Sequence, residues 1–126
     1  MIAFLKCGFI GWGLEIFWTG VHALFQGDPR LIGRSSLWMF PIYGLAAVIL
    51  PAYELLKPLN ILFRGLIYMT CIFFIEYLTG TILRSLNVCP WDYSRAAWNI
   101  HGLIRLDYAP LWFAVGLFFE WILCRL

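Results

Sequence analysis

Three carboxylates fall inside long apolar stretches of the 126-residue chain: Glu15, Glu76 and Glu120. An ionised carboxylate in the middle of a bilayer costs at least about 2.5 kcal/mol, so such groups are usually paired, protonated or functional. A carboxylate that alternates between protonated and ionised forms can exchange a proton for a cation. These residues therefore predict a binding site for a proton, a cation or a small polar solute.

Helical spacing gives two of these acids polar or small neighbours. Residues three or four positions apart share a helix face, so Glu15 shares one with Thr19. By the same spacing, Glu76 lies on a face with Gly80 and Arg84. Glycines let membrane helices approach closely. We therefore predict that the polar faces converge on a single interior site.

A second polar group surrounds the loop after the third apolar stretch. Its candidate binding residues are Arg84, Trp91, Asp92, Tyr93, Ser94, His101, Arg105 and Asp107. Asp92, His101 or Asp107 would serve as acid–base groups, with Arg95 or Arg105 holding a phosphate or carboxylate. A simpler interpretation is an Asx turn, in which Asp92 accepts a hydrogen bond from the Ser94 amide and Trp91 anchors the loop.

Three interpretations of the intramembrane acids stay open at this stage. They are pairing with Arg64, Arg84, Arg105 or His22 as polar contacts between helices, binding of a transported solute, and catalysis at the membrane surface. HExxH, GxSxG and phosphate-binding glycine loops are absent from the sequence, which argues against a standard enzyme.

Composition indicates an integral membrane protein. Hydrophobic residues make up 63% of the chain and charged residues only 13%, against about 45–50% and about 25% in soluble domains. The net charge of +2 without a basic run argues against nucleic-acid binding. The four cysteines include no C-x-x-C pair, so we expect no disulfide framework, metal site or cofactor.

Four apolar segments are long enough to cross about 30 Å of hydrocarbon. They cover residues about 2–25, 37–56, 61–86 and 108–124, with a structured loop at 87–106. These segments predict an all-α fold: one membrane domain, 1–126, forming a four-helix bundle with an interfacial or re-entrant segment between helices 3 and 4. A bundle this small predicts a homodimer or larger homo-oligomer with glycine faces at the contact.

Signals within the second segment predict its boundaries and an interruption. Ser35 and Ser36 are candidate N-caps, and Lys57-Pro58 closes the segment. Pro41 and Pro51 each remove a backbone donor, which predicts a kink or a break in the helix.

The run from Glu76 to Ser94, ending in Trp-Asp-Tyr-Ser, closely resembles the transmembrane protein 229 group. That group lies within a membrane family labelled ABC-transporter permease of the CmpB type. Gly11-Trp12 with Glu15, the stretch 41–44, and the stretch 102–108 continuing to Trp112 resemble the rest of the pattern. The resemblance implies a multi-pass membrane protein whose recurring residues correspond to Glu15, Glu76, Trp91, Asp92, Tyr93, Ser94, Gly102 and Glu120. Asp107 stands where many relatives carry Glu.

We predict a transport or permease-like role for a small polar or cationic solute, using Glu15, Glu76 and Glu120. The alternative is a membrane enzyme or binder that acts on lipid headgroups at residues 91–107. Expected partners are membrane lipids and further copies of the chain. Because the chain has no nucleotide-binding motif, any ATPase would be a separate subunit.

Overall fold

The computed structural model describes residues 2–125, which form helices, connecting loops and one short hairpin. The helices are α1 (Ile2–Phe25), α2 (Met39–Gly44), α3 (Ile49–Leu56), α4 (Ile61–Ser85) and α5 (Ala109–Arg125). The antiparallel strands are β1 (Asn99–Ile100) and β2 (Ile104–Arg105). Two 3₁₀ turns cover Leu45–Val48 and Leu106–Tyr108.

Four stretches within residues 2–125 are long and apolar enough to cross a membrane. They are Ile2–Phe25, Met39–Leu56, Ile61–Ser85 and Leu106–Arg125. The predicted all-α, multi-pass membrane protein is confirmed. The chain forms two compact units, and the boundary in the sequence falls between Val48 and Ile49. That the whole chain is one membrane domain stays a prediction.

In the first unit, α1 and α2 pack through glycines. The ring of Phe40 lies against Gly8, where a Cβ would be 2.8 Å from its Cε2, and Tyr43 lies against Gly11. Phe4 packs in the same way on Gly44 of α2. Close approach at small residues is the usual way in which membrane helices gain packing contacts, since lipid supplies no hydrophobic drive between them.

The second span changes its helix type at the 3₁₀ turn Leu45–Val48, which confirms the predicted break. Pro51 has no backbone N–H, so it cannot continue the helical hydrogen-bond pattern at this point. The predicted kink at Pro41 is wrong, because Pro41 lies in the first turn of α2, where backbone N–H groups have no helical partner.

The N-cap prediction for the second span is also wrong in detail. The helix begins at Met39 rather than residue 37, and its N-cap is Trp38, with no side-chain cap bond. Ser36 Oγ instead accepts a 3.2 Å hydrogen bond from the Trp38 amide, just before the helix. Ser35 does not cap the helix, because its hydroxyl donates a hydrogen bond to Glu15.

In the second unit, α4 and α5 run antiparallel. Tyr68 of α4 packs on Gly116 of α5, and Phe113 packs on Gly65. Phe119 is the largest fully buried side chain among the described residues, at 2% exposure. Asn60 caps the start of α4 by accepting a 3.0 Å hydrogen bond from the Phe63 amide.

Helix α4 ends where the sequence predicts. The Val88 amide bonds to the carbonyl of Leu83 and the Asn87 amide to that of Arg84, both at 2.9 Å. Asn87 has a φ of +60°, so these bonds form a Schellman-type cap with Asn at the left-handed position. This cap directs the chain into the segment that carries the hairpin.

The segment between α4 and α5 is ordered by its own contacts, as predicted. Asn99 pairs with Arg105 and Ile100 with Ile104 across the hairpin. Leu103 and Ile104 are buried, at 3% and 8% exposure. The hairpin turns at Gly102, whose φ of +71° favours glycine.

Candidate functional site

The predicted site residues fall into several separate places. Glu15 lies in the first unit, and all the others lie in the second. Within the second unit, Glu76 is in the middle of α4, and Glu120 is near the C-terminal end of α5. The predicted convergence of Glu15 and Glu76 on one interior site stays a prediction.

Glu15 is half-buried on α1 beside the extended segment that leads into α2. Ser35 Oγ donates a 3.2 Å hydrogen bond to Glu15 Oε2. One turn further along, the Thr19 hydroxyl accepts a 2.7 Å hydrogen bond from the Arg34 amide and donates to the Glu15 carbonyl. The extended segment thus brings a hydroxyl group to the carboxylate. Sequence reasoning assigned Ser35 to a helix cap and missed this contact.

Glu76 is a buried acid, at 9% exposure, in the middle of a membrane-length helix. It shares the buried face of α4 with Tyr68, Gly80 and Leu83. The helical spacing predicted Gly80 on this face. Arg84, predicted to lie on the same face, is exposed at the end of the helix and contacts the hairpin instead.

Glu120 has fixed partners. Arg64 donates to both of its carboxylate oxygens, from Nε at 3.0 Å and from Nη2 at 3.1 Å. The Tyr68 hydroxyl donates to Glu120 Oε2, and Arg64 also donates to the Leu59 carbonyl. The pairing interpretation thus describes Glu120. Arg64 was a predicted partner, whereas nothing in the sequence marked Tyr68.

Asp92 and Ser94 form the predicted Asx turn, with the Ser94 amide 2.9 Å from Asp92 Oδ1. That backbone hydrogen bond holds the pKa of Asp92 below its usual range. Trp91 anchors the turn, because its Nε1 donates to the Leu103 carbonyl at 2.9 Å and its ring packs on Gly80. The Tyr93 amide donates to the Gly102 carbonyl at 2.8 Å.

A cavity of about 400 Å³ opens beside this turn in the second unit. It is lined by Arg84, Asn87, Cys89, Trp91, Asp92, Ser94 and His101. Arg84 Nη1 donates to the His101 carbonyl at 2.6 Å, and the Tyr77 hydroxyl lies 2.9 Å from His101 Nδ1. Five of the predicted site residues therefore meet around one space.

Arg105 and Asp107 are not among the described residues that line this cavity. They form a salt bridge with each other, at 2.7 Å between Nη2 and Oδ2. The guanidinium of Arg105 also lies over the Tyr108 ring, 4.4 Å from its centroid. That Asp107 acts as an acid–base group and that Arg105 holds a phosphate or carboxylate stay predictions, and in this structure the two side chains pair with each other.

Metal chemistry has no candidate site among residues 2–125, which hold no group of three or more His, Cys, Asp or Glu side chains placed to bind an ion. The functional groups at the sites described are carboxylates, guanidinium groups, hydroxyls, the His101 imidazole and the Cys89 thiol.

No solved structure matches the chain. A family model described as "Putative ABC-transporter type IV" matches residues 2–126, which is nearly the whole sequence. The four membrane-length helices described above are consistent with a transporter's membrane component. The chain therefore belongs to this ABC-transporter type IV family of integral, multi-pass membrane proteins.

Proposed function

We propose that this chain is the membrane-spanning part of a transport system and that it moves or senses a small polar or cationic solute at Glu15 and Glu76. The observation that carries the proposal is the buried carboxylate of Glu76, halfway along a 25-residue apolar helix. An acid in that position is costly and is generally kept for function. The family description supports the transport assignment.

The proposed mechanism is exchange of a proton for a cation at each carboxylate. At Glu15, the hydroxyl of Ser35 would help to replace the solute's hydration shell, because it already contacts the carboxylate. Glu120 has a different role in this proposal. Its ion pair with Arg64 holds α4 against α5, so we no longer place it among the exchanging groups.

The proposed partners follow from the family description and the sequence. An ABC transporter requires an ATPase, and this chain has no Walker-type loop, so we propose a separate ATPase subunit.

We also propose a homo-oligomer. Gly8 and Gly11 are occupied by contacts inside the first unit, whereas Gly13 has nothing within 4 Å and is the better contact for a second copy. Within the family, we place the chain in the transmembrane protein 229 group, on its run from Glu76 to Ser94.

Proton release on cation binding tests the proposed exchange without an ATPase. The purified chain in weakly buffered detergent would be mixed with sodium, guanidinium or tetraethylammonium chloride, and the pH followed with a dye. We expect at least one of these cations to release protons. Glu15→Gln and Glu76→Gln should each reduce the release, and the double variant should abolish it.

Glu54→Gln is the matched control, because Glu54 is an exposed acid whose partner is Lys57, 3.0 Å away. It should leave the release unchanged. Equal release from the wild type and the Glu15→Gln, Glu76→Gln double variant would contradict the proposal, as would no release with any of the three cations.

A further inference from the structure

The cavity beside the hairpin presents two opposite charges to one small space. A Cβ on Gly102 would lie 2.9 Å from Asp92 Oδ1 and 3.0 Å from Arg84 Nη2. Glycine leaves that point open, and its φ of +71° disfavours other residues there. The backbone of the hairpin thus keeps a gap between a carboxylate and a guanidinium.

Both charges are held in place by other groups. Arg84 is fixed by its hydrogen bond to the His101 carbonyl, and Asp92 by the Ser94 amide. In the described part of the chain, neither side chain belongs to a salt bridge, although Arg84 is close enough to lower the pKa of Asp92. Each of the two charged side chains can therefore still form an ion pair with a ligand.

Its place in the chain predicts that the cavity lies near the membrane surface. It follows the C-terminal end of α4 and precedes the last span, so the hairpin joins two membrane-length helices. Trp98 is 64% exposed on the hairpin, and Trp91 lines the cavity. Tryptophan concentrates at the depth of lipid headgroups.

The charge pattern selects the ligand class. A simple anion would be attracted by Arg84 but repelled by Asp92. A simple cation would be attracted by Asp92 but repelled by Arg84. A ligand that carries both charges satisfies both residues, because guanidinium groups bind phosphate oxygens well and carboxylates accept strong hydrogen bonds from ammonium groups. We propose that this cavity binds phosphoethanolamine, with its phosphate at Arg84 and its ammonium at Asp92. Two sources have this chemistry: the headgroup of phosphatidylethanolamine and the free molecule.

Native mass spectrometry of the full chain, released from detergent with defined lipids, measures the preference. Phosphatidylethanolamine carries both charges and a primary ammonium, phosphatidylcholine has no N–H donor, and phosphatidylglycerol has no ammonium. One charge-assisted hydrogen bond supports a preference of about tenfold for phosphatidylethanolamine over each of the other two. Soluble phosphoethanolamine, added as a competitor, distinguishes the sources. If it displaces the lipid at similar concentration, the free molecule is the ligand, and if it does not, the lipid is.

Asp92→Asn separates charge from structure, because an Asn side chain still accepts the Ser94 amide and keeps the turn. It should remove the preference for phosphatidylethanolamine over phosphatidylglycerol while the thermal unfolding temperature stays unchanged. Arg34→Gln is the control, since Arg34 is an exposed arginine of the first unit and is not among the lining residues. Equal binding of all three lipids, or a preference that survives Asp92→Asn, would overturn the proposal. If the Asp92→Asn variant bound phosphatidylglycerol more tightly than the wild type binds phosphatidylethanolamine, that result would also overturn it, in favour of a plain anion site.

Discussion

Arg64 of α4 and Glu120 of α5 form a two-point ion pair, although 56 residues separate them in the sequence. Their side chains are only 15% and 11% exposed. The pair therefore fixes both the register and the closeness of the two helices that carry the hairpin between them. Glu120, one of the three predicted intramembrane acids, therefore has a defined counter-ion.

Arg64→Leu should destabilise the second unit, because it leaves Glu120 buried without its counter-ion. Loss of one member of a buried pair costs about 3–5 kcal/mol, whereas replacing both members with apolar residues is often nearly neutral. The Arg64→Leu, Glu120→Leu double variant should therefore recover most of the lost stability. Unfolding free energies by steric trapping in bicelles would check this. If the double variant instead lost as much stability as the two single variants together, the two side chains would be acting independently.

Gly116 is needed for the contact between α4 and α5. A Cβ there would lie 2.5 Å from the Cβ of Tyr68, an atom that cannot rotate away. Gly116→Ala should lower the free energy of unfolding by about 1–3 kcal/mol through overpacking. In monomeric protein, Gly13→Ala is the matched helical control, since no neighbouring side chain or element lies within 4 Å of a Cβ there, and it should be neutral or stabilising by up to about 1 kcal/mol. A similar loss in both variants would mean that the α4–α5 contact is looser than described.

The sequence predicted long elements better than contacts between them. The predicted first helix, 2–25, matches α1, and the predicted third, 61–86, ends one residue beyond α4. These two apolar runs end at Gly27 and at Asn87. Both residues adopt the left-handed conformation that ends helices, so the ends of the helices were predictable. The second span was harder, because the effect of a proline depends on its position within the helix.

The partners of the acids were mostly beyond sequence reasoning. Ser35 is 20 residues from Glu15, and Tyr68 is 52 residues from Glu120. No local pattern marks such pairs, since they depend on which helix faces meet. The Asx turn at Asp92 was predictable, because its two partners are two residues apart. The hairpin strands were missed, since two-residue strands depend on buried Leu103 and the Trp91 anchor rather than on strand propensity.

Acidification should loosen the turn at Asp92. Its pKa in the folded protein is lowered from the usual 3.8, chiefly by the Ser94 amide. A depressed carboxyl pKa contributes stability that is present above the unfolded value and is lost as the pH falls through the folded value. The Ser94 amide shift, followed by NMR, should therefore titrate with a midpoint below 3.8. Asp92→Asn should remove this titration, and a midpoint at or above 3.8 would contradict the hydrogen-bonded turn.

Labelling of the intramembrane acids by dicyclohexylcarbodiimide tests the central claim most directly, because this apolar reagent modifies protonated carboxyls and mass spectrometry locates the product. We expect labelling of Glu15 and Glu76 that decreases when a bound cation displaces the proton. Glu120 should stay unlabelled, since Arg64 and Tyr68 occupy both of its carboxylate oxygens. Labelling of Glu15 and Glu76 that no tested cation reduces, or labelling of Glu120 in preference to them, would contradict proton–cation exchange at these two residues.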